Sequence, residues 1–188
     1  AIKGKRIDGN KFVTQSFKRN ASLAIVNKIQ NKFQISRQIK VNNTLKFLTD
    51  ISKNHIIPNL GKVNSSDIKI KIDSSKATIH DEEIEDLLIS YFTSKGFTSF
   101  IAEETYPSNF NNKNKYLTLD PIDGTRNFIN GVNKLAIMIS YIEDKKNIFS
   151  VIHNPINNDF YHIFDNKIFK NFQSHNIKDL KPAHRLPQ

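Results

Sequence analysis

Apolar residues along this 188-residue chain fall into two helical stretches and five strand-like ones, separated by turn-rich segments. From Val41 onward, Thr44, Phe47, Leu48, Ile51 and His55 are spaced for one face of a helix. Pro58 ends that run, because its ring lacks an N–H and crowds the preceding turn. Residues 59–75 read as turns. A second helix is predicted from Thr78-Ile79-His80-Asp81: acids in its first turn suit the helix dipole, and Ile84, Leu87, Leu88 and Tyr91 line one face until Gly96. Residues 97–102 then read as a short strand running into Glu103-Glu104. After a loop rich in Asn, Ser and Pro, residues 116–119 read as a strand running into Asp120. Beyond the Gly131 turn, 135–142, 148–153 and 160–164 are predicted strands of an antiparallel meander, joined by residues 143–146 and by Asn-Pro and Asn-Asn turns. Helices beside such a meander make an α+β chain. After Phe172 the pattern dissolves, and Pro182 and Pro187 discourage further regular structure.

Composition narrows this picture. With 38% apolar residues and 14 Phe, the chain can bury a core, as one domain or as part of a larger one. The lack of Cys excludes disulfides and thiolate metal sites. No apolar run approaches the roughly 20 residues needed to cross a bilayer, and no signal-peptide pattern is present, so a cytoplasmic protein without a membrane span is expected.

The net charge of +10 is concentrated in one region. Residues 1–40 carry 10 Lys and Arg against Asp8 alone, whereas the remainder holds 18 against 17 acids. The basic character therefore belongs to an extension and not to the domain. Three divisions follow: a basic extension over 1–40, disordered or inserted; a lobe over 41–172; and an irregular tail over 173–188. Within the extension, residues 23–29 could form a short amphipathic helix on a partner. RNA or an acidic surface is the contact such a leader suits.

The chemistry concentrates at Asp120-Pro121-Ile122-Asp123-Gly124-Thr125. An apolar run ends on one carboxylate, a proline turn delivers a second, and a Gly-Thr step leads into a predicted helix. Hard oxygen ligands suit Mg²⁺, and exposed N–H groups at a helix start suit phosphate. Two strands ending in carboxylate place these groups where ligands gather in α/β sheets. The combination points to metal-assisted phosphate chemistry. The six histidines (55, 80, 153, 162, 175 and 184) show no ligand spacing and are expected to be structural or exposed.

The motif, extended through Arg126, Asn127 and Phe128 and preceded by Glu103-Glu104, resembles the inositol monophosphatase family of Mg²⁺-dependent phosphatases. The likeness runs from about Leu45 to about Phe164. It implies the first αβ half of a layered αβαβα sandwich, with an antiparallel meander flanked by helices. It also implies Mg²⁺-dependent hydrolysis of a small phosphate monoester, such as an inositol monophosphate, without a phosphoenzyme. By resemblance, Glu103, Asp120 and the Ile122 carbonyl would hold a first ion, while Asp123 and Asp120 would contribute to a second. Gly124 and Thr125 would offer N–H groups to the phosphate. The Thr125 hydroxyl would pair with Asp81 to orient the attacking water. Asp81 also fits a capping box with Thr78, and the two roles are compatible. Glu104 is read as a supporting acid and not as a ligand.

Departures from the family pattern carry expectations of their own. Ala102 stands where the family has Gly before the acidic pair, which matters only if that backbone needs a positive φ. His80 stands beside Asp81, where a small or hydroxylated side chain is usual. Its imidazole could perturb Asp81 or fill space meant for water. A Gly-rich stretch after the meander is replaced by residues 165–171. The family's second half supplies a Trp-Asp motif to the second ion, yet this chain has no Trp. The chain therefore reads as a fragment of a longer enzyme or as a truncated member. A truncated member would be weakly active or inactive, binding RNA or RNA polymerase through residues 1–40. It would also leave apolar surface that invites a homodimer.

Overall fold

The computed structural model describes residues 13–18, 24–26, 30–33, 38–105, 114–164, 167–171 and 173–175. Helix α2 spans Val41–Ile51 and widens into a π-helical turn at Ser52–Ile56 and a 3-10 turn at Ile57–Asn59 that contains Pro58. The widening begins where the Ser52 hydroxyl donates to the Leu48 carbonyl at 2.8 Å, four residues back. Helix α3, Ile79–Thr93, starts at an N-cap Thr78. The two helices lie together through Phe47 stacked on Tyr91 at 4.0 Å and through Thr44 Oγ1 and Tyr91 Oη at 2.9 Å.

The buried face of α3 differs from the one the apolar pattern predicts. It consists of Asp81, Ile84, Glu85, Leu88 and Phe92, with Leu87 and Tyr91 at its margin. Two acids sit in the core because each has partners there, and a purely apolar reading rotates the stripe away from them.

The helices pack on one face of a seven-stranded sheet ordered β11-β10-β9-β8-β7-β6-β5. Its strands are β5 (Phe100–Ala102), β6 (Lys115–Asp123), β7 (Ala136–Glu143), β8 (Lys146–Asn154), β9 (Asp159–Phe164), β10 (Lys167–Lys170) and β11 (Gln173–His175). Every neighbouring pair is antiparallel except β5 and β6, which are parallel. Alternation places Leu117, Leu119, Ile137, Ile139, Tyr141, Val151 and Phe160 inward against Leu48, Ile51, Ile56, Ile84, Leu88 and Phe92. The other face carries Thr118, Ser140, Ser150 and Ile163 in one cross-strand row, with Ser140 and Ser150 hydroxyls 2.7 Å apart. One α layer on one β layer is the α+β arrangement expected of the first αβ half.

The expected strands all form, with shifted ends. β5 is shorter than 97–102, and β6 runs four residues past 119 through the Asp-Pro-Ile-Asp segment, where a turn was expected. A hairpin of β3 (Ile68–Ile70) and β4 (Lys76–Thr78) forms where residues 59–75 were read as turns, its second strand running past them to the α3 cap. The described part of residues 1–40 holds helix α1 (Val13–Lys18) and a parallel pair, β1 (Ala24–Val26) and β2 (Gln38–Lys40). Val13 and Val26 are buried there with Phe17 and Phe33 beside them. Residues 24–26 are thus a strand and not part of a helix. The rest of the extension, with the RNA contact expected of it, and residues 176–188 lie outside the described residues. Among the described residues no helix is long and apolar enough to cross a membrane.

Two contacts tie the α2 segment to the rest of the fold, one at the Gly131 turn and one at β8. Gly61 (φ +71°) approaches Gly131 (φ +71°) so closely that a Cβ on Gly61 would lie 2.9 Å from the Gly131 Cα, and the Gly61 N–H donates to the Phe128 carbonyl at 2.9 Å. His153, wholly buried on β8, stacks on Phe160 at 4.1 Å and meets the Ser52 hydroxyl through Nε2 at 2.8 Å. Since Ser52 spends its proton on Leu48, the His153 Nε2 carries the hydrogen of that bond.

Burial pushes the His153 pKa down to about 4 from 6.5. The unfolded chain therefore binds a proton that the folded chain refuses, so this group's contribution to stability is complete above about pH 6.5 and is lost as pH falls toward 4. Roughly 3 kcal/mol is at stake. Urea unfolding at stepped pH is expected to show His153→Gln less stable than wild type at pH 7 by about 1–2 kcal/mol. Its stability should also fall less steeply between pH 6.5 and 4, by about one proton.

Candidate active site

The site forms where β5 and β6 end together. Their parallel register pairs Ala102 with Leu119, and the Glu103 N–H continues the ladder to the Leu119 carbonyl at 3.1 Å. Glu103 is thereby set beside Asp120. Parallel pairing decides this, because both strands then finish at the same edge.

Asp120 and Asp123 are three residues apart, which on a regular strand would point them to opposite faces. The register shifts between them: Asp120 opposes Met138, and Asp123 opposes Ala136, so three steps on β6 match two on β7. This bulge returns both aspartates to one side. Ile122 fills the opposite direction, with its side chain in the core.

Gly124 follows with φ +92° and ψ +39°, the left-handed N-cap of helix α4 (Thr125–Ile129). A side chain there would meet the Lys134 carbonyl at 2.9 Å, so glycine is required by space as well as by dihedral. Helix α4 has five residues and no side-chain cap, so it lends little macrodipole. What it lends is the orientation of its first N–H groups.

Asp81 makes both the Thr78 and the Thr125 contacts expected of it. Its Oδ2 accepts from the Thr78 N–H at 2.8 Å and from the Thr78 hydroxyl, completing the capping box, while Oδ1 accepts from the Thr125 hydroxyl at 3.0 Å. Thr125 Oγ1 also lies 3.2 Å from the Ile122 carbonyl. Both Asp81 and Thr125 are buried.

The electrostatics are those of crowded acids. Burial, then the Glu103, Asp123 and Asp81 charges, push the Asp120 pKa up to about 8, and its Oδ1 is buried with no hydrogen-bond partner. Burial and Glu103 also raise Asp123, and burial raises Asp81 despite its three hydroxyl and N–H donors. Burial raises Glu104 too, opposed by Lys71.

Two residues of this neighbourhood carry no signal in the apolar pattern or the motif. Lys71, beyond the end of β3, places its ammonium 2.8 Å from Glu104 Oε1 and 3.2 Å from Glu103 Oε1. Partial burial works against that charge, but the two carboxylates outweigh it and hold the Lys71 pKa above the usual range. Glu85 lies one helical turn after Asp81 and is wholly buried; its carboxylate takes the N–H groups of Glu104 and Thr105 at 2.8 and 2.7 Å. Its spacing of four from Asp81 is the one cue a reader of the sequence could have used.

The departures from the family pattern are mild. Ala102 is an ordinary strand residue with no positive φ. His80 turns its ring edge-on to Phe128 at 5.7 Å, with Nδ1 3.4 Å from Glu83 Oε2 and too poorly aligned to hydrogen-bond.

Glu103, Asp120, Asp123 and the Ile122 carbonyl offer oxygen alone, the donor set for a hard divalent cation. The orphaned Asp120 Oδ1 and the elevated Asp120 pKa fit such an ion, since both call for positive charge. Among the described residues no three acids or imidazoles stand close enough together to hold a metal ion. With the ammonium on Glu103 and Glu104, the acids are spread around Lys71 instead.

Comparison with known proteins agrees with this geometry. The chain is 27% identical over 131 residues to a fructose-1,6-bisphosphatase of Pyrococcus furiosus, covering 69% of this chain and 49% of that protein. It is 32% identical over 106 residues to inositol monophosphatase 1 of Rattus norvegicus, covering 52% and 37%. The fold is shared with a Thermotoga maritima IMPase at a TM-score of 0.62 and 22% identity, over 70% of this chain and 51% of that one. The chain thus spans about half or less of the length of these relatives. The model of the inositol monophosphatase family matches residues 41–181, most of the chain, and this protein therefore belongs to that family.

Proposed function

We propose that this chain carries the metal- and phosphate-binding half of a Mg²⁺-dependent phosphatase acting on a small polyol or sugar phosphate monoester. Asp120 is the observation that carries the reading: a half-buried carboxyl, raised to about 8 by burial and then by neighbouring acids, with one oxygen unpartnered. Acids held this close without a structural need are what cation ligation requires. The names of two relatives, a fructose-1,6-bisphosphatase and an inositol monophosphatase, support the substrate class.

In this reading Glu103, Asp120, Asp123 and the Ile122 carbonyl hold the ion. Mg²⁺, when bound, supplies Lewis acidity toward a phosphoryl oxygen and toward water. The protein's own groups do the rest. Thr125 donates its hydroxyl proton to Asp81, which leaves its lone pairs to accept from a water and fix its direction of attack. Asp81 is held by the Thr78 cap, so the hydroxyl it orients cannot swing away. The Gly124 and Thr125 N–H groups take phosphoryl oxygens, where the left-handed Gly124 lets the main chain approach.

Phosphate release with Mg²⁺, measured on inositol monophosphate and fructose 1,6-bisphosphate, tests the reading. Asp120→Asn and Asp123→Asn are each expected to lower kcat/KM by about 100-fold or more, and Thr125→Ala by about 10-fold to 100-fold. Unchanged turnover in both aspartate variants would defeat the assignment.

Mg²⁺ must also displace a proton from Asp120. Titrating the chain with Mg²⁺ in weak buffer at pH 7 is expected to release protons, and apparent affinity should rise with pH up to about 8, then level off. Lys71 competes with the ion for Glu103 and Glu104. Lys71→Gln is therefore expected to lower the Mg²⁺ concentration for half-saturation by about threefold to 10-fold, a modest factor because the pair is partly exposed.

A further inference from the structure

We propose that Glu85 is a positioning residue for the cation site: its buried carboxylate fixes the main chain of residues 103–105 and thereby aims Glu103 at Asp120. The inference rests on the cation reading given above. Strand β5 ends at Ala102, and the Glu103 N–H makes the last ladder bond, to Leu119. The next two N–H groups have no strand to pair with. Glu85 Oε2 accepts the first, from Glu104, at 2.8 Å; Oε1 accepts the second, from Thr105, at 2.7 Å, and also the Thr105 hydroxyl. Three consecutive main-chain N–H groups are thus tied, one to β6 and two to α3. The side chain of Glu103 leaves from a backbone that cannot turn.

Stability alone does not favour this arrangement. Glu85 is wholly buried, and burying a carboxylate costs more than burying a leucine of similar size at the same place. It also adds negative charge to a neighbourhood that already holds Asp81, Glu103, Glu104 and Asp120. What it gives in return is one conformation for an acidic loop. The same helix carries Asp81 one turn earlier, and Asp81 holds the Thr125 hydroxyl. Helix α3 is therefore a rigid spacer between that hydroxyl and the loop that presents Glu103. Glutamine at position 85 keeps the size but replaces one acceptor by an NH₂ group, which faces an N–H and repels it.

The test uses the whole chain as wild type, Glu85→Gln and Thr105→Val, with Mn²⁺ as probe and no turnover required. Mn²⁺ binding is read by the fall in free-ion EPR signal, and main-chain amide exchange at Glu104 and Thr105 by NMR. Glu85→Gln is expected to speed exchange at one or both amides and to weaken Mn²⁺ binding by about 10-fold to 100-fold. Thr105 is exposed, so Thr105→Val should fold whatever happens to Glu85→Gln, and a loss of about threefold is expected of it. Wild type that binds Mn²⁺ alongside variants that bind it equally well overturns the Glu85 role alone, as does unchanged amide exchange. Wild type that takes up no Mn²⁺ at millimolar concentration overturns the cation reading and this inference with it.

Discussion

Negative charges repel, and this chain gathers Asp81, Glu103, Glu104, Asp120 and Asp123 within reach of one another at a single edge of its sheet. Each surrounding feature can be understood as a response to that repulsion. Asp81 is quieted by a cap and a hydroxyl, and Glu104 and Glu103 by the one ammonium of Lys71. Asp120 and Asp123 keep their burden, and the Asp120 pKa of about 8 marks where burial and the neighbouring acids weigh most. A fold selected only for stability would disperse these groups to solvent.

The geometry that sustains this crowding is simple. A parallel pair puts two strand ends at one edge, a bulge brings two aspartates to one side, and a capped helix delivers a third aspartate from behind.

Much of this was legible in the sequence. The motif from Asp120 to Thr125 pointed to the chemistry proposed above, because a carboxylate pair, a proline and a Gly-Thr step have few other uses together. Helices and strands followed from periodicity, with errors at their ends. Where reading failed, it failed for physical reasons. Lys71 sits beyond a three-residue strand, in a stretch whose turn residues hide the hairpin. Glu85 looks like a solvated helix residue, since its partners are main-chain N–H groups that no side-chain pattern reveals. The bulge within β6 was mistaken for a turn because Pro121 is usually found in one. Gln38, whose side chain grips both the N–H and the carbonyl of Gln30, escaped notice for the same reason as Glu85.

The touching glycines at positions 61 and 131 have a wider meaning. Their contact is backbone upon backbone, with no room for a methyl group between the turn that follows α2 and the turn that closes α4. A chain so rich in Asn, Lys and Ile can exchange most of its surface letters without losing its shape. At this pinch space shrinks the alphabet to a single letter at Gly61, while Gly131 is favoured by its positive φ, and two residues that contribute no chemistry join the turn after α2 to the turn after α4.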